Sequence, residues 1–169
     1  EKPNYNSFAS PIDALRTGAI LEQRYLLTLG NDYFCQWKST YNEMDVFTSS
    51  IDFAKINDGE IVDFDELKTI WLTDYLDIIQ PLEQLSISEY TQVLKKKFKQ
   101  NYEQIQAQLM CSGLLSANLV FLSVETYDDE INFTRNINEN EYSKFRIYRD
   151  DEVIDKIKQR GQIFQTIKN

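Results

Sequence analysis

A chain of 169 residues with 42% apolar and 13% aromatic content suits one packed domain, which at this size buries about 70% of its unfolded surface. It contains no histidine, which excludes Ser-His-Asp and Cys-His catalysis, HExxH zinc sites and imidazole proton shuttles, and leaves carboxylates, Lys, Tyr or a hard metal ion to do any chemistry. The net charge of −9 has the wrong sign for coating nucleic acid by electrostatics alone, although a local basic channel can coexist with an acidic surface.

Residues 1–9 read as a polar tail, and Ser10-Pro11 as a helix start with Ser as N-cap and Pro in the first turn. Apolar positions from Ile12 to Leu29 follow helical spacing, and Gly30 fits a C-terminal cap. Gly18 and Glu22 lie one turn apart on this helix, where a glycine permits close backbone approach and a buried glutamate needs a partner. Residues 31–43 carry Tyr33, Phe34, Trp37 and Tyr41 without clean periodicity and are expected to form a loop or short helix with its aromatics mostly in the core. Residues 44–56 and 60–70 form a hairpin about Asn57-Asp58-Gly59, which supplies the positive φ that a tight turn needs. Residues 71–85 suggest a short helix ended by Pro81.

Ser86 or Ser88 then caps a long helix to about Ser112, with Gly113 past its end and an apolar stripe from Tyr90 to Met110. Lys95, Lys96, Lys97 and Lys99 cluster on its first half, either as a solvated face or as a rim that meets DNA phosphates by counterion release. Gln104 and Gln108 share a face on its second half. Residues 118–127 read as a buried strand, 128–130 as a turn, 131–137 and 144–149 as strands, and 150–167 as a closing amphipathic helix with an acidic first turn. The order predicts an α/β (α+β) fold, one domain over residues 1–169 with a central mixed β-sheet flanked by helices. Cys35 and Cys111 have no metal-binding spacing, no apolar run reaches membrane length and no secretory signal is visible; a cytoplasmic location away from membranes is expected.

The stretch with chemical content is Glu66-Leu67-Lys68, at the end of the second hairpin strand. Residues two apart on a strand share a face, so Glu66 and Lys68 point together while Leu67 points to the core. Asp52, on the other hairpin strand, can reach the same face. Two carboxylates with a lysine beside them can hold a divalent cation and steady the charge on a phosphate or attacking water. Asp63 and Asp65 compete as the second carboxylate, but parity turns both to the opposite face. Taken alone, Glu-x-Lys is also what an ordinary solvated strand edge looks like.

Four segments, in order, resemble the PD-(D/E)xK nuclease superfamily, within it the branch of phage lambda exonuclease and the YqaJ-type viral recombinases. Thr17-Gly18-Ala19-Ile20-Leu21-Glu22 is similar to the family's first-helix G-x-x-x-E, and Ser50-Ile51-Asp52 to its Ser-Pro-Asp, with Ile51 in place of the Pro. Glu66-Leu67-Lys68-Thr69 is similar to its E-L-K-T strand, and Tyr102 to Gly113 to its Y-x-Q-x-Q-x-Q helix and following glycine. The resemblance implies a restriction-endonuclease-like core and a Mg²⁺- or Mn²⁺-dependent deoxyribonuclease that hydrolyses phosphodiesters in line. It implies metal binding by Asp52, Glu66 and the backbone carbonyl of Leu67, with Glu22 reaching the metal directly or through water. Lys68 and Gln104 would orient the attacking water, with Gln108 a turn beyond. Apart from the resemblance, the helix's own lysine cluster makes Lys95, Lys96 and Lys99, together with Gln108, the expected DNA contacts. The resemblance also implies a phage-type exonuclease working with a single-strand annealing protein in recombination, in a host cytoplasm, and assembly as a homo-oligomer such as a trimer. The alternatives are a site-specific or repair endonuclease of the same fold, and a non-catalytic acidic module that binds protein.

Overall fold

The computed structural model describes residues 11–41, 43 and 47–168, with residues 164–168 by backbone alone. The expected tail 1–9, the Ser10 cap and the first residues of the hairpin at 44–46 lie outside the described residues. The elements in order are α1 (Pro11–Leu26), β1 (Tyr33–Thr40), β2 (Thr48–Asn57), β3 (Glu60–Trp71), α2 (Leu72–Asp74), α3 (Ile87–Lys97), α4 (Lys99–Ser112), β4 (Ser116–Val124), α5 (Asp129–Thr134), β5 (Tyr142–Tyr148) and α6 (Asp151–Lys168). The strands form one sheet in the order β1-β2-β3-β4-β5. All neighbours are antiparallel except β3 and β4, which run parallel and are joined through α2, α3 and α4. The expected α/β architecture, a mixed sheet between helices, is what the chain adopts.

Both faces of the sheet are covered, which explains why β4 is apolar almost throughout and buried along its length. On one face Leu21 and Tyr25 of α1 pack against Phe53, Leu67, Val120 and Leu122. On the other, Leu94 of α3 and Ile105 and Leu109 of α4 cover Ile51, Phe64, Leu119 and Phe121. The hairpin turn is as expected: Asp58 and Gly59 both take positive φ, 51° and 82°, the combination of a two-residue type I′ connection. Ser86 caps α3 through a reciprocal capping box with Glu89, and Gly113 ends α4 at φ 74°.

Five expectations are corrected. Residues 33–40 form edge strand β1 rather than a loop or helix, because pairing with β2 supplies the order that the sequence pattern lacks, and Phe34 stands 49% exposed instead of in the core. Pro81 does not end the segment after β3. It sits in the first turn of a 3₁₀ helix (Gln80–Gln84) that follows a π-helical turn (Tyr75–Ile79), where its missing N–H costs nothing. The long helix is two, broken at Phe98 (φ −121°, ψ 44°), whose ring packs 4.9 Å from that of Phe121. Residues 129–134 are helical, not a strand: Asp128 accepts the Ile131 N–H as an N-cap, and buried Asn132 donates to the carbonyls of Thr126 and Asp128. A Cβ at Gly18 would meet nothing within 4 Å, whereas one at Gly161 would stand 2.2 Å from Phe47 Cζ, so the close approach is at Gly161. Among the described residues no helix is long and apolar enough to cross a membrane.

Candidate functional site

The β2–β3 ladder ends at Phe53 opposite Asp65. One residue further, where β3 continues alongside β4, the side chain of Asp52 accepts the Leu67 N–H at 3.0 Å. The strand thus satisfies its own backbone with a carboxylate, and this places Asp52 beside Glu66. Glu66 is fully buried, so its charge requires internal donors. Lys68 Nζ reaches Glu66 Oε1 at 2.7 Å, as the shared strand face requires, and the Gln104 amide donates to the same oxygen. Gln108 Nε2 donates to Glu66 Oε2 at 2.6 Å and to the Ser50 carbonyl at 2.9 Å. The one-turn spacing of the two glutamines on α4 is what lets both amides meet one carboxylate. Gln104 is exposed at the mouth and Gln108 is buried beneath it.

Glu22 comes from α1 and is partly buried. Its Oε2 lies 3.5 Å from Gln36 Nε2, and Gln36 Oε1 accepts the Ser50 hydroxyl at 2.9 Å. Burial first, then the Glu66 charge, push the Glu22 carboxyl above the usual range, opposed by Lys68 and Gln36. Asp52 is pushed up further, to about 7, by burial and then by Glu66, with the Leu67 N–H pulling the other way. Three carboxylates thus repel one another around one lysine.

The donor chemistry suits a hard divalent cation. Every candidate ligand is oxygen: the carboxylates of Asp52, Glu66 and Glu22 and the carbonyl of Leu67. A cation would relieve the repulsion that raises Asp52. Buried Gln108 Oε1, which has no protein donor, could accept from a water in a cation's hydration shell. Among the described residues no three His, Cys, Asp or Glu side chains converge closely enough to hold an ion by themselves.

Asp63 and Asp65 point to the opposite face, as parity requires. Asp65, fully buried, accepts from Tyr25 Oη at 2.8 Å, Asn118 Nδ2 at 2.7 Å and Lys144 Nζ at 2.7 Å, while Asp63 pairs with Arg146 at 2.7 Å. The lysines stand apart from the carboxylates. Lys95 and Lys99 border a cleft of about 180 Å³ between α3, α4 and α6 together with Lys156 and Arg160, and Lys96 is exposed on α3. Lys95 pairs with Asp150, Lys156 with Glu152, and Lys99 and Arg160 share Glu103. Gln108 is turned inward, away from any surface that DNA could reach directly. Two site residues were not singled out for chemistry in the sequence: Gln36, which lies in the unassigned stretch before the hairpin, and Ser50, which only the resemblance touched.

No family model matches this chain, and no curated protein matches it. Solved structures do. An alkaline exonuclease from Laribacter hongkongensis superposes with a TM-score of 0.58 at 18% identity, over 94% of this chain and 68% of that one. The same enzyme in complex with dAMP gives 0.54 at 17% identity, over 94% and 69%. A phage-related exonuclease from Haemophilus somnus 129PT gives 0.55 at 20%, over 94% and 71%. At these identities the likeness is one of fold.

Proposed function

We propose that the chain is a divalent-cation-dependent deoxyribonuclease that hydrolyses phosphodiester bonds, a phage-type exonuclease of DNA recombination. The observation that carries this reading is the buried carboxylate of Glu66, held by Lys68, Gln104 and Gln108 next to Asp52 at the point where β2 and β3 separate. The exonuclease names borne by its structural neighbours, one of them bound to dAMP, support it.

In this reading Asp52, Glu66 and the Leu67 carbonyl hold Mg²⁺ or Mn²⁺, with Glu22 joining directly or through water. The ion supplies Lewis-acid polarisation of the phosphate and a lowered pKa for the attacking water. The chain's own groups do the rest. The Lys68 ammonium is tied to Glu66 at one side and partly open to solvent, so a phosphate oxygen arriving in front of it meets a fixed positive charge where charge grows in the transition state. Gln104, at the mouth, has a second amide proton and a carbonyl free to orient water. Gln108 keeps the Glu66 carboxylate from turning. Asp52, Glu66 and Glu22 would serve as ligands of the ion, and the lysine would steady the charge that develops on the phosphate. A homo-oligomeric assembly and an annealing-protein partner belong to the same proposal.

The test is digestion of linear 5′-phosphorylated duplex with Mg²⁺, Mn²⁺ or EDTA, beside covalently closed circles and the Lys68→Ala variant. Metal-dependent loss of the linear duplex alone, absent in the variant, is the expected result. Nicking of closed circles would replace the exonuclease reading with an endonuclease one. A folded wild type that cuts nothing would favour a protein-binding module.

A further inference from the structure

Gln36 combines two observations that point the same way. It is a non-glycine residue at φ 53° inside strand β1, a left-handed conformation that costs energy in a strand and persists only where its surroundings hold it. It also stands by register opposite Asp52, between the pairs Cys35–Phe53 and Trp37–Ile51. From there its amide spans two elements. Nε2 faces Glu22 of α1 at 3.5 Å, and Oε1 accepts the Ser50 hydroxyl of β2 at 2.9 Å. The Ser50 carbonyl in turn accepts Gln108 Nε2, the group that also donates to Glu66. A single hydrogen-bonded path therefore runs Glu22–Gln36–Ser50–Gln108–Glu66, joining α1, β1, β2, α4 and β3.

We propose that Gln36 is a positioning residue of this site, whose left-handed backbone aims its amide so that, through Ser50, the Glu22 carboxylate is held at a set distance from Glu66. Without this link Glu22 is a surface helix residue, repelled by Glu66 and free to swing into solvent. Edge strand β1 would then serve the chemistry as well as the sheet, and Ser50 would be the hinge pin, using its hydroxyl on one side and its carbonyl on the other. The inference rests on the nuclease reading above.

Gln36→Gly isolates the amide from the backbone, because glycine adopts this φ without strain. Ser50→Ala removes the hydroxyl while leaving the carbonyl that Gln108 uses. The measurements are melting temperature, Mn²⁺ affinity by calorimetry, and kcat and KM on linear duplex. Gln36→Gly is expected to melt no lower than wild type, to bind Mn²⁺ more weakly, and to lose about 10-fold or more in kcat with KM nearly unchanged, the usual scale for removing a partner that orients a metal ligand. Ser50→Ala should act in the same direction, and the double variant should lose little more than the worse single one, as residues acting as a unit do. Wild-type kcat and Mn²⁺ affinity in Gln36→Gly, beside an active wild type, would overturn the inference alone. Full additivity of the two substitutions would overturn the Gln36–Ser50 link. A wild type that neither binds Mn²⁺ nor cuts DNA would overturn the nuclease reading and this inference with it.

Discussion

The carboxylate of Asp52 accepts the backbone N–H of Leu67 at 3.0 Å, one residue beyond the last rung of the β2–β3 ladder. A side chain here does what a strand partner would otherwise do. The consequence is electrostatic: closing the gap in this way brings Asp52 up against Glu66, which has no exposure to solvent. The upward push on the Asp52 carboxyl has its origin in its own burial and in the neighbouring Glu66 charge.

That origin has a sign that can be checked. Asp52 is raised from 3.8 to about 7, so between those values the folded state holds a proton that the unfolded state has released. Stability therefore falls as pH rises through this window, and Glu22, also raised, adds in the same direction. Asp52→Asn keeps an acceptor for the Leu67 N–H and removes the charge. Thermal melts without divalent ions should show the variant more stable than wild type at pH 8 and little different at pH 4. Adding Mn²⁺ at pH 8 should raise the wild-type melting temperature by mass action and the variant's much less. A wild type whose stability rises with pH over this range would contradict the assignment.

Lys68→Ala and Glu66→Gln should each reduce DNA cleavage by about 100-fold or more, the scale for losing a charge-stabilising group or its anchor. Lys68 is partly exposed, so its variant should retain wild-type circular dichroism and melting temperature within a few degrees. Cleavage within about 10-fold of wild type by Lys68→Ala would remove it from the chemistry.

The two glutamines of α4 should separate in their effects. Gln108 is buried and its one amide nitrogen serves both Glu66 and the Ser50 carbonyl. Gln108→Ala should cost about 1–3 kcal/mol of stability through the acceptors it leaves unpaired, measured by urea unfolding, besides lowering activity. Exposed Gln104 donates to a Glu66 oxygen that Lys68 also serves, so Gln104→Ala should lower kcat with little change in stability.

Asp65 is a carboxylate as buried as Glu66 and one residue away, yet it belongs to the other face. Lys144, Asn118 and Tyr25 satisfy it there, and burial, with the adjacent carboxylate, pushes the Tyr25 hydroxyl upward. Asp65→Ala should destabilise the fold by about 3–5 kcal/mol, the cost of leaving a partner charge unpaired in the interior. Calorimetry on the folded variant should find wild-type Mn²⁺ affinity. A loss of metal binding greater than the loss of folded protein would bring Asp65 into the site.

Features set by local chemistry could be read along the chain. The hairpin about Asp58-Gly59, the Ser86 cap, the Gly113 stop and the alternation that turns Glu66 and Lys68 to one face and Asp65 to the other are each decided by a few neighbouring residues. So is the one-turn spacing that lets Gln104 and Gln108 meet one carboxylate. Tertiary structure decided the rest. Residues 33–40 are a strand because β2 offers them a ladder, and Phe98 breaks a helix, in an uninterrupted apolar stripe, because its ring finds Phe121. Asp128 caps a helix where its sequence suggested a turn before a strand. The link from Glu22 to Glu66 through Gln36, Ser50 and Gln108 was also invisible, since it joins residues of five elements whose spacing along the chain carries no period. A period reports which face a residue occupies; only the packed sheet determines which faces meet.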